Sequence, residues 1–329
     1  MAPGANDSAF QVAAKNVLSQ YENLDEPITE PAAASSPPDA IAAEWYQVNA
    51  FREKLEEENA SKPAAAIRSV SQFTPIGYIE ARTKLSETAV SSSLLLVRIQ
   101  RYDFSRLSCT SHLYYKVFGP PEFKRGHLKA ERDAIFVMAL TGLAGNDDVH
   151  QRMLQSIYRR LTGQTEPCPT TGSHWDAVGF QGNNPATDLR GSGIFGLLQI
   201  LYFAKTAPTL LAKIFSLSQD ERQNFPFAIV SLNLTGICLK VLREARIYKL
   251  CSARNSVIDT TCILYLALFY DMYIGWKNQG KTIESFPPTR DEIERRARSD
   301  PEKMIAAYEK NYVSPLQALT SQKEMFVPE

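Results

Sequence analysis

From residue 125 to residue 312 the chain repeats one pattern. Apolar residues recur at helical spacing, and each run is closed by glycine, proline or a short polar turn. "DDVHQRMLQSIYRRLTG" (147–163) is the clearest case. Val149, Met153, Ile157 and Leu161 fall on one helical face, an aspartate stands at the N-cap, and Gly163 ends the run. Such a stripe must bury itself against another element. Comparable runs occupy 125–143, 193–205, 209–217, 225–243 and 256–277. Two amphipathic stretches follow at 289–298 and 300–312, the second with Asp300 as cap and Pro301 at its first position. A further run, "RLSCTSHLYYKVF" (106–118), stops at "GPP". Against these stands one strand-like segment, "SLLLVRIQRY" (93–102), with nothing to pair with at hairpin distance. The pattern predicts an all-α class: one globular multi-helix domain rather than a coiled coil.

Residues 1–75 differ in composition. "EPITEPAAASSPPDA" (26–40) is rich in proline, alanine, serine and acid, which predicts a low-complexity, mostly disordered N-terminal region. Within it, Ile41, Trp45, Val48, Phe51 and Leu55 lie near one helical face. That short helix either recognises a partner or docks on its own domain. Residues 76–144 read as a helical lead-in packed on the domain.

Two runs approach membrane-spanning length, 225–242 and 257–276. The first holds Asn233 and Lys240, the second Asp259 and Asp271. A carboxylate at mid-bilayer is expensive, so both runs are expected to be buried core helices and no transmembrane segment is expected. The opening MAPGANDSAF lacks a basic and an apolar region, which predicts no secretory leader, and no lipid-anchor motif is present.

Lysine plus arginine and aspartate plus glutamate number 36 each. Zero net charge argues against a nucleic-acid partner, which usually demands a basic excess. The five cysteines, Cys109, Cys168, Cys238, Cys251 and Cys262, form no CxxC pair. Neither a disulfide framework nor a zinc site is suggested, and a reducing, cytoplasmic setting is expected. Cys238 and Cys262 sit in apolar runs and read as buried thiols. Cys168 and His174 share a loop, but two ligands do not make a metal site. His150 and His174 read as ordinary hydrogen-bonding residues.

The glycine-rich stretch "GFQGNNPATDLRGSG" (179–193) invites a phosphate-cradle reading, and "GSGIFG" (191–196) matches G-x-G-x-x-G. That fingerprint needs a strand before it and an acid about 20 residues after it. "GNNPATDLR" cannot be a buried strand, so dinucleotide binding is rejected. No G-x-x-x-x-G-K-[ST] occurs, and Ser192 lies outside any nucleophile motif. "TDLRG" (187–191) keeps two readings. Thr187 or Asp188 caps the following helix and Asp188 pairs with Arg190 locally. Alternatively Arg190 reaches into a partner's site, where its planar, permanently charged fork suits phosphate oxygens. The small residues would let another backbone, or a partner, approach the helix start closely.

Taken as one, "HWDAVGFQGNNPATDLRGSGIFGLLQILYF" (174–203) resembles the signature of the ELMO domain family: W-x-x-x-G-F-Q-G, then P-x-T-D-x-R-G-x-G, then an apolar helix ending in Tyr-Phe. "VHQRMLQSIYRRLTG" (149–163) resembles the helix that opens that domain, and "FPFAIVSLNLTGICLKVLRE" (225–244) a later one. "YKVFGPPEF" (115–123) and "ERD" (131–133) resemble one branch of the family. The resemblance covers residues 145–312 and leaves 313–329 as a C-terminal tail.

It implies an all-helical fold and a GTPase-activating protein for Arf-family GTPases, notably Arf-like ones. The family's arginine finger falls on Arg190. Such a finger, supplied in trans, stabilises transition-state charge. Asp188 would orient it or cap its helix, and Gly191 and Gly193 would allow close docking. Gln181, Asn184 and Thr187 join them as finger-supporting or GTPase-binding positions. Trp175, Phe180 and Pro185 would shape the loop, with core anchoring as the reading favoured for Trp175 and Phe180. No cofactor is implied for the chain itself, since GTP and Mg²⁺ belong to the GTPase, which would also recruit it to membranes. Other members of the family act as scaffolds, partnering DOCK-type exchange factors in cytoskeletal signalling, and a non-catalytic adaptor is the alternative.

Overall fold

The computed structural model describes residues 74–90, 121–189 and 191–314. The run at 41–59, the strand-like segment at 93–102, the run at 106–118, Cys109 and Arg190 lie outside them. The described residues form ten α-helices and no strand. They are α1 (Tyr78–Val90), α2 (Gly126–Leu140), α3 (Asp148–Thr162), α4 (Gly193–Thr206), α5 (Pro208–Ser218), α6 (Phe227–Arg243), α7 (Tyr248–Arg254), α8 (Val257–Gln279), α9 (Phe286–Ser299) and α10 (Pro301–Tyr308). The all-α reading holds.

The ends of these helices follow local chemistry. Asp147 caps α3 by accepting from the His150 N–H, and Gly163 ends it in the left-handed region. Ser256 caps α8 by accepting from the Asp259 N–H, and Asp300 caps α10 by accepting from the Lys303 N–H. The sequence places α9 at 289–298, but it starts at Phe286. Pro287 and Pro288 occupy its first turn, where the missing N–H has no intrahelical partner to lose. The seven-residue α7 was not expected at all.

Helix α4 is the hub. Every residue from Gly193 to Phe203 is buried. It packs against α1, α2, α3, α5, α6 and α8. A helix apolar on all sides can only sit inside, since it has no face to offer water. Long α8 lies beside it and also packs on α2, α7, α9 and α10. Phe203, Phe227, Tyr265 and Phe269, all fully buried, interlock where α4, α6 and α8 meet.

Helix α8 is long and apolar enough to cross a membrane, yet most of its apolar stretch is covered by the fold. The polar residues that interrupt the two apolar runs are satisfied by neighbouring side chains and backbone. Arg82 of α1 donates to Asp259 at 2.7 Å, and Tyr78 donates to the same carboxylate at 3.2 Å. Arg296 pairs with Asp271, Lys240 with Glu294 at 3.0 Å, and Asn233 donates to the Ile229 carbonyl. Cys238 and Cys262 are fully buried as expected, and Cys168 and Cys251 are buried too.

The lead-in is fastened to the start of α8. Glu131 of α2 accepts from the Val257 N–H at 2.6 Å, the Ile258 N–H at 3.1 Å and the Ser256 hydroxyl. A carboxylate at a helix N-terminus meets unpaired N–H groups and the positive end of the helix dipole. Arg82 then bridges Glu131 and Asp259. One ionic network thus ties α1, α2 and α8 together.

Candidate functional site

The segment between α3 and α4 has two parts, a root and a rim. Helix α3 grips the root. Gln155 donates to the Cys168 carbonyl at 2.6 Å and accepts from the Cys168 N–H at 3.0 Å. One turn earlier Gln151 accepts from the Thr170 hydroxyl at 3.1 Å. Both glutamines are buried, so the Cys168 backbone and the Thr170 hydroxyl replace water they would otherwise bind.

Trp175 follows in a short 3₁₀ turn, Ser173–Val178, and is fully buried. Its indole N–H donates to the Thr170 carbonyl at 3.0 Å, and its ring meets Tyr158 and Phe180 edge-on. Phe180 is buried as well. Core anchoring is therefore what Trp175 and Phe180 do. Gly179 lies between them at φ +87°, and a Cβ there would stand 2.3 Å from the Phe227 nitrogen. Its carbonyl accepts from the Ile229 N–H of α6 at 3.2 Å. The root thus sits directly on the first turn of α6, filling one of the bonds a helix start leaves open.

The rim begins at Gln181. Asn184 accepts from the Ala186 N–H at 3.0 Å and so caps the 3₁₀ turn Pro185–Thr187. Thr187 donates its hydroxyl back to the Asn184 carbonyl at 2.8 Å. Pro185 is buried, while Gln181, Asn184 and Thr187 are exposed. Asp188 accepts from the Gln181 N–H at 2.6 Å, which closes a ring of eight residues on the surface. Leu189 is buried, and its carbonyl accepts from the Gly193 N–H at 2.7 Å.

Two expectations are corrected. Neither Thr187 nor Asp188 holds the N-cap position of α4. That position falls on Ser192, which makes no side-chain capping bond. The Asp188 carboxylate holds the Gln181 N–H across the ring. The second correction concerns the glycines. Gly191 is exposed, with open space where a Cβ would point. Gly193 is buried, and a Cβ on it would stand 2.4 Å from the Met138 and Ala139 carbonyl oxygens. The backbone that approaches Gly193 is the chain's own α2. The Ile194 N–H donates to the Thr141 carbonyl at 2.8 Å, joining the start of α4 to the end of α2.

Gln151, Gln155 and Thr141 were not singled out by sequence. The glutamines' only signal was two amides one turn apart on α3, away from its apolar stripe. Thr141 had none. The histidines behave as read. His150 accepts from the Ala144 N–H at 3.2 Å, and His174 lies 2.9 Å from the Pro169 carbonyl. Burial lowers the pKa of both. Burial pushes the Cys168 thiol up to about 11, which keeps it protonated near neutral pH. Among the described residues no three His, Cys, Asp or Glu side chains come together to hold a metal ion.

Comparison with known proteins agrees with the signature. The model of the ELMO/CED-12 family matches residues 134–290. ELMO domain-containing protein 3 of Homo sapiens is 39% identical over 199 residues, covering 60% of this chain and 52% of that protein. The Bos taurus protein of the same name is 38% identical over 199 residues, with the same coverage. ELMO domain-containing protein B of Dictyostelium discoideum is 28% identical over 154 residues, 46% of this chain and 53% of that protein. The chain thus spans about half the length of these curated relatives. No solved structure matches it. Residues 134–290 of the chain thus carry a domain that matches the ELMO/CED-12 family.

Proposed function

We propose that this chain is a GTPase-activating protein for Arf-family GTPases, Arf-like ones in particular, and that Arg190 is its finger. The chemistry asked of the chain is small. A GTPase already holds its nucleotide, Mg²⁺ and attacking water. What it lacks is positive charge where the transferred phosphoryl group develops negative charge. A guanidinium supplied in trans meets that need, and its fork geometry suits two phosphate oxygens at once. The chain turns over no small molecule of its own. It works in the cytoplasm, and the GTPase carries it to membranes.

One observation carries the reading. The segment that leads to the family's D-x-R-G sequence is a ring closed by Asp188 and the Gln181 N–H, with Gln181, Asn184 and Thr187 exposed, and it stands on a buried root. A finger must be held before the partner arrives, because ordering it at the moment of binding would subtract from the rate it supplies. Asp188, Asn184 and Thr187 are positioning residues in this reading. Exposed Gln181 and Gly191 face the GTPase.

GTP hydrolysis by a panel of purified Arf and Arf-like GTPases, with and without the chain, tests this. Stimulation by at least one GTPase-chain pair, lost in Arg190→Ala, is expected. Full stimulation by Arg190→Ala would refute the finger. Equal binding to GDP- and GTP-loaded forms with no stimulation would favour the adaptor reading instead.

A further inference from the structure

We infer that the end of α2 is the seat that positions the finger loop, with Gly193 as the positioning residue. The inference rests on the proposed GTPase-activating function for its catalytic consequence, though not for its geometry.

Three observations meet at one point. Gly193 lies against the carbonyls of Met138 and Ala139, with no room for a Cβ. The Ile194 N–H donates to the Thr141 carbonyl at 2.8 Å. The same residue, Thr141, closes α2, its N–H and hydroxyl both donating to the Val137 carbonyl. The last carbonyls of α2 have no partner within their own helix. Here one of them accepts a free N–H at the start of α4. Two helix ends complete each other, three residues beyond position 190.

The consequence reaches upstream. Helix α2 is held by Glu131, which is bound to the start of α8 and to Arg82 of α1. Glu131 and Arg82 both precede residue 134, where the family match begins. The lead-in therefore takes part in setting the finger loop rather than merely covering the domain. In catalysis a misplacement of about 1 Å costs on the order of 100-fold in rate. A methyl group at residue 193 forces a displacement of that size, because the atoms it meets are backbone.

The test uses the full chain and three variants: Gly193→Ala, Thr141→Gly and Arg190→Ala. Gly196→Ala is the control, one turn along the same helix, where an added Cβ meets chiefly the flexible end of Leu232. Two readouts are taken. The first is hydrogen exchange of the Ile194 amide, which is independent of any partner. Gly193→Ala is expected to speed it at least tenfold while the deep amides of α8 stay protected. Unchanged exchange overturns the seat.

The second readout is single-turnover hydrolysis by GTP-loaded Arf-like GTPases. Gly193→Ala is expected to lower the maximal stimulated rate about 100-fold with GTPase affinity held within threefold. A full maximal rate in Gly193→Ala, where Arg190→Ala has lost it, overturns the positioning role. Should Gly193→Ala fail to fold, Thr141→Gly loosens the seat from the α2 side and is expected to give a smaller fall of the same kind. A full rate there overturns the inference. If Arg190→Ala itself stimulates fully, the proposed function falls, and Ile194 exchange still decides the seat.

Discussion

The two halves of the segment between α3 and α4 are built on opposite principles. The root, residues 164–180, is held by burial: Trp175, Phe180 and Val178 inside, Cys168 clamped by Gln155. The rim, residues 181–188, has an exposed face held by short polar closures: Asn184 to Ala186, Thr187 to Asn184, Asp188 to Gln181. The difference separates stability from function. A change in the root should cost folding energy. A change in the rim should cost little folding energy and should be felt by whatever the rim touches.

Removing Trp175 is the strongest test of the root. Its side chain is fully buried, and Trp175→Ala leaves both a cavity and an unpaired Thr170 carbonyl. A loss of about 3–5 kcal/mol is expected in urea unfolding. A loss under about 1 kcal/mol would erase the distinction between root and rim.

Asp188 gives the converse. Asp188→Ala removes the acceptor of the Gln181 N–H and is expected to cost about 1 kcal/mol of stability, since the bond lies near solvent. Its larger effect is on the ring's shape, with stimulated hydrolysis falling about tenfold at most positions of the GTPase panel. Asp188→Asn keeps an acceptor oxygen and should recover part of that rate. If Asn behaves no better than Ala, ring closure is not what Asp188 contributes.

The smallest expected effect lies outside the rim. Burial holds the His150 imidazole below its usual pKa, against the opposing pull of Asp147. Its neutral form is the one that accepts from the Ala144 N–H. A depressed histidine binds fewer protons folded than unfolded. Its contribution is therefore full above about pH 6.5 and is lost as pH falls through the folded value. His174 is shifted in the same direction. The urea midpoint should fall between pH 7 and pH 5, and less steeply in His150→Gln. Parallel slopes would contradict this.

Much of the fold was legible because periodicity and caps are local signals. The run 147–163 and the helix Asp148–Thr162 agree to within a residue at each end. The polar residues of the two apolar runs, Asp259 and Asp271 above all, argued against a bilayer, and these two have arginine partners. Helix α7 was missed because seven residues hold too little period to read. In the site, the burial of Trp175 and Phe180 followed from their types. The Asp188–Gln181 closure did not, because propensity favours the nearer role of helix cap. Nor did the contact of Gly193 with α2, which joins residues more than fifty apart and leaves no mark in either segment. Local rules describe the helices, while the site depends on how they meet.

The central claim is that position 190 supplies charge to a partner's transition state. The direct measurement is the single-turnover rate of GTP hydrolysis by a stimulated Arf-like GTPase, for wild type, Arg190→Lys and Arg190→Ala. A loss of roughly 10³–10⁵ is expected for Ala, and Lys should recover little because a point charge cannot reproduce the fork. Unfolding free energies should stay within about 0.5 kcal/mol of wild type, as expected of a residue whose role is catalytic and not structural. An Arg190→Ala chain that stimulates hydrolysis at the wild-type rate would contradict the account.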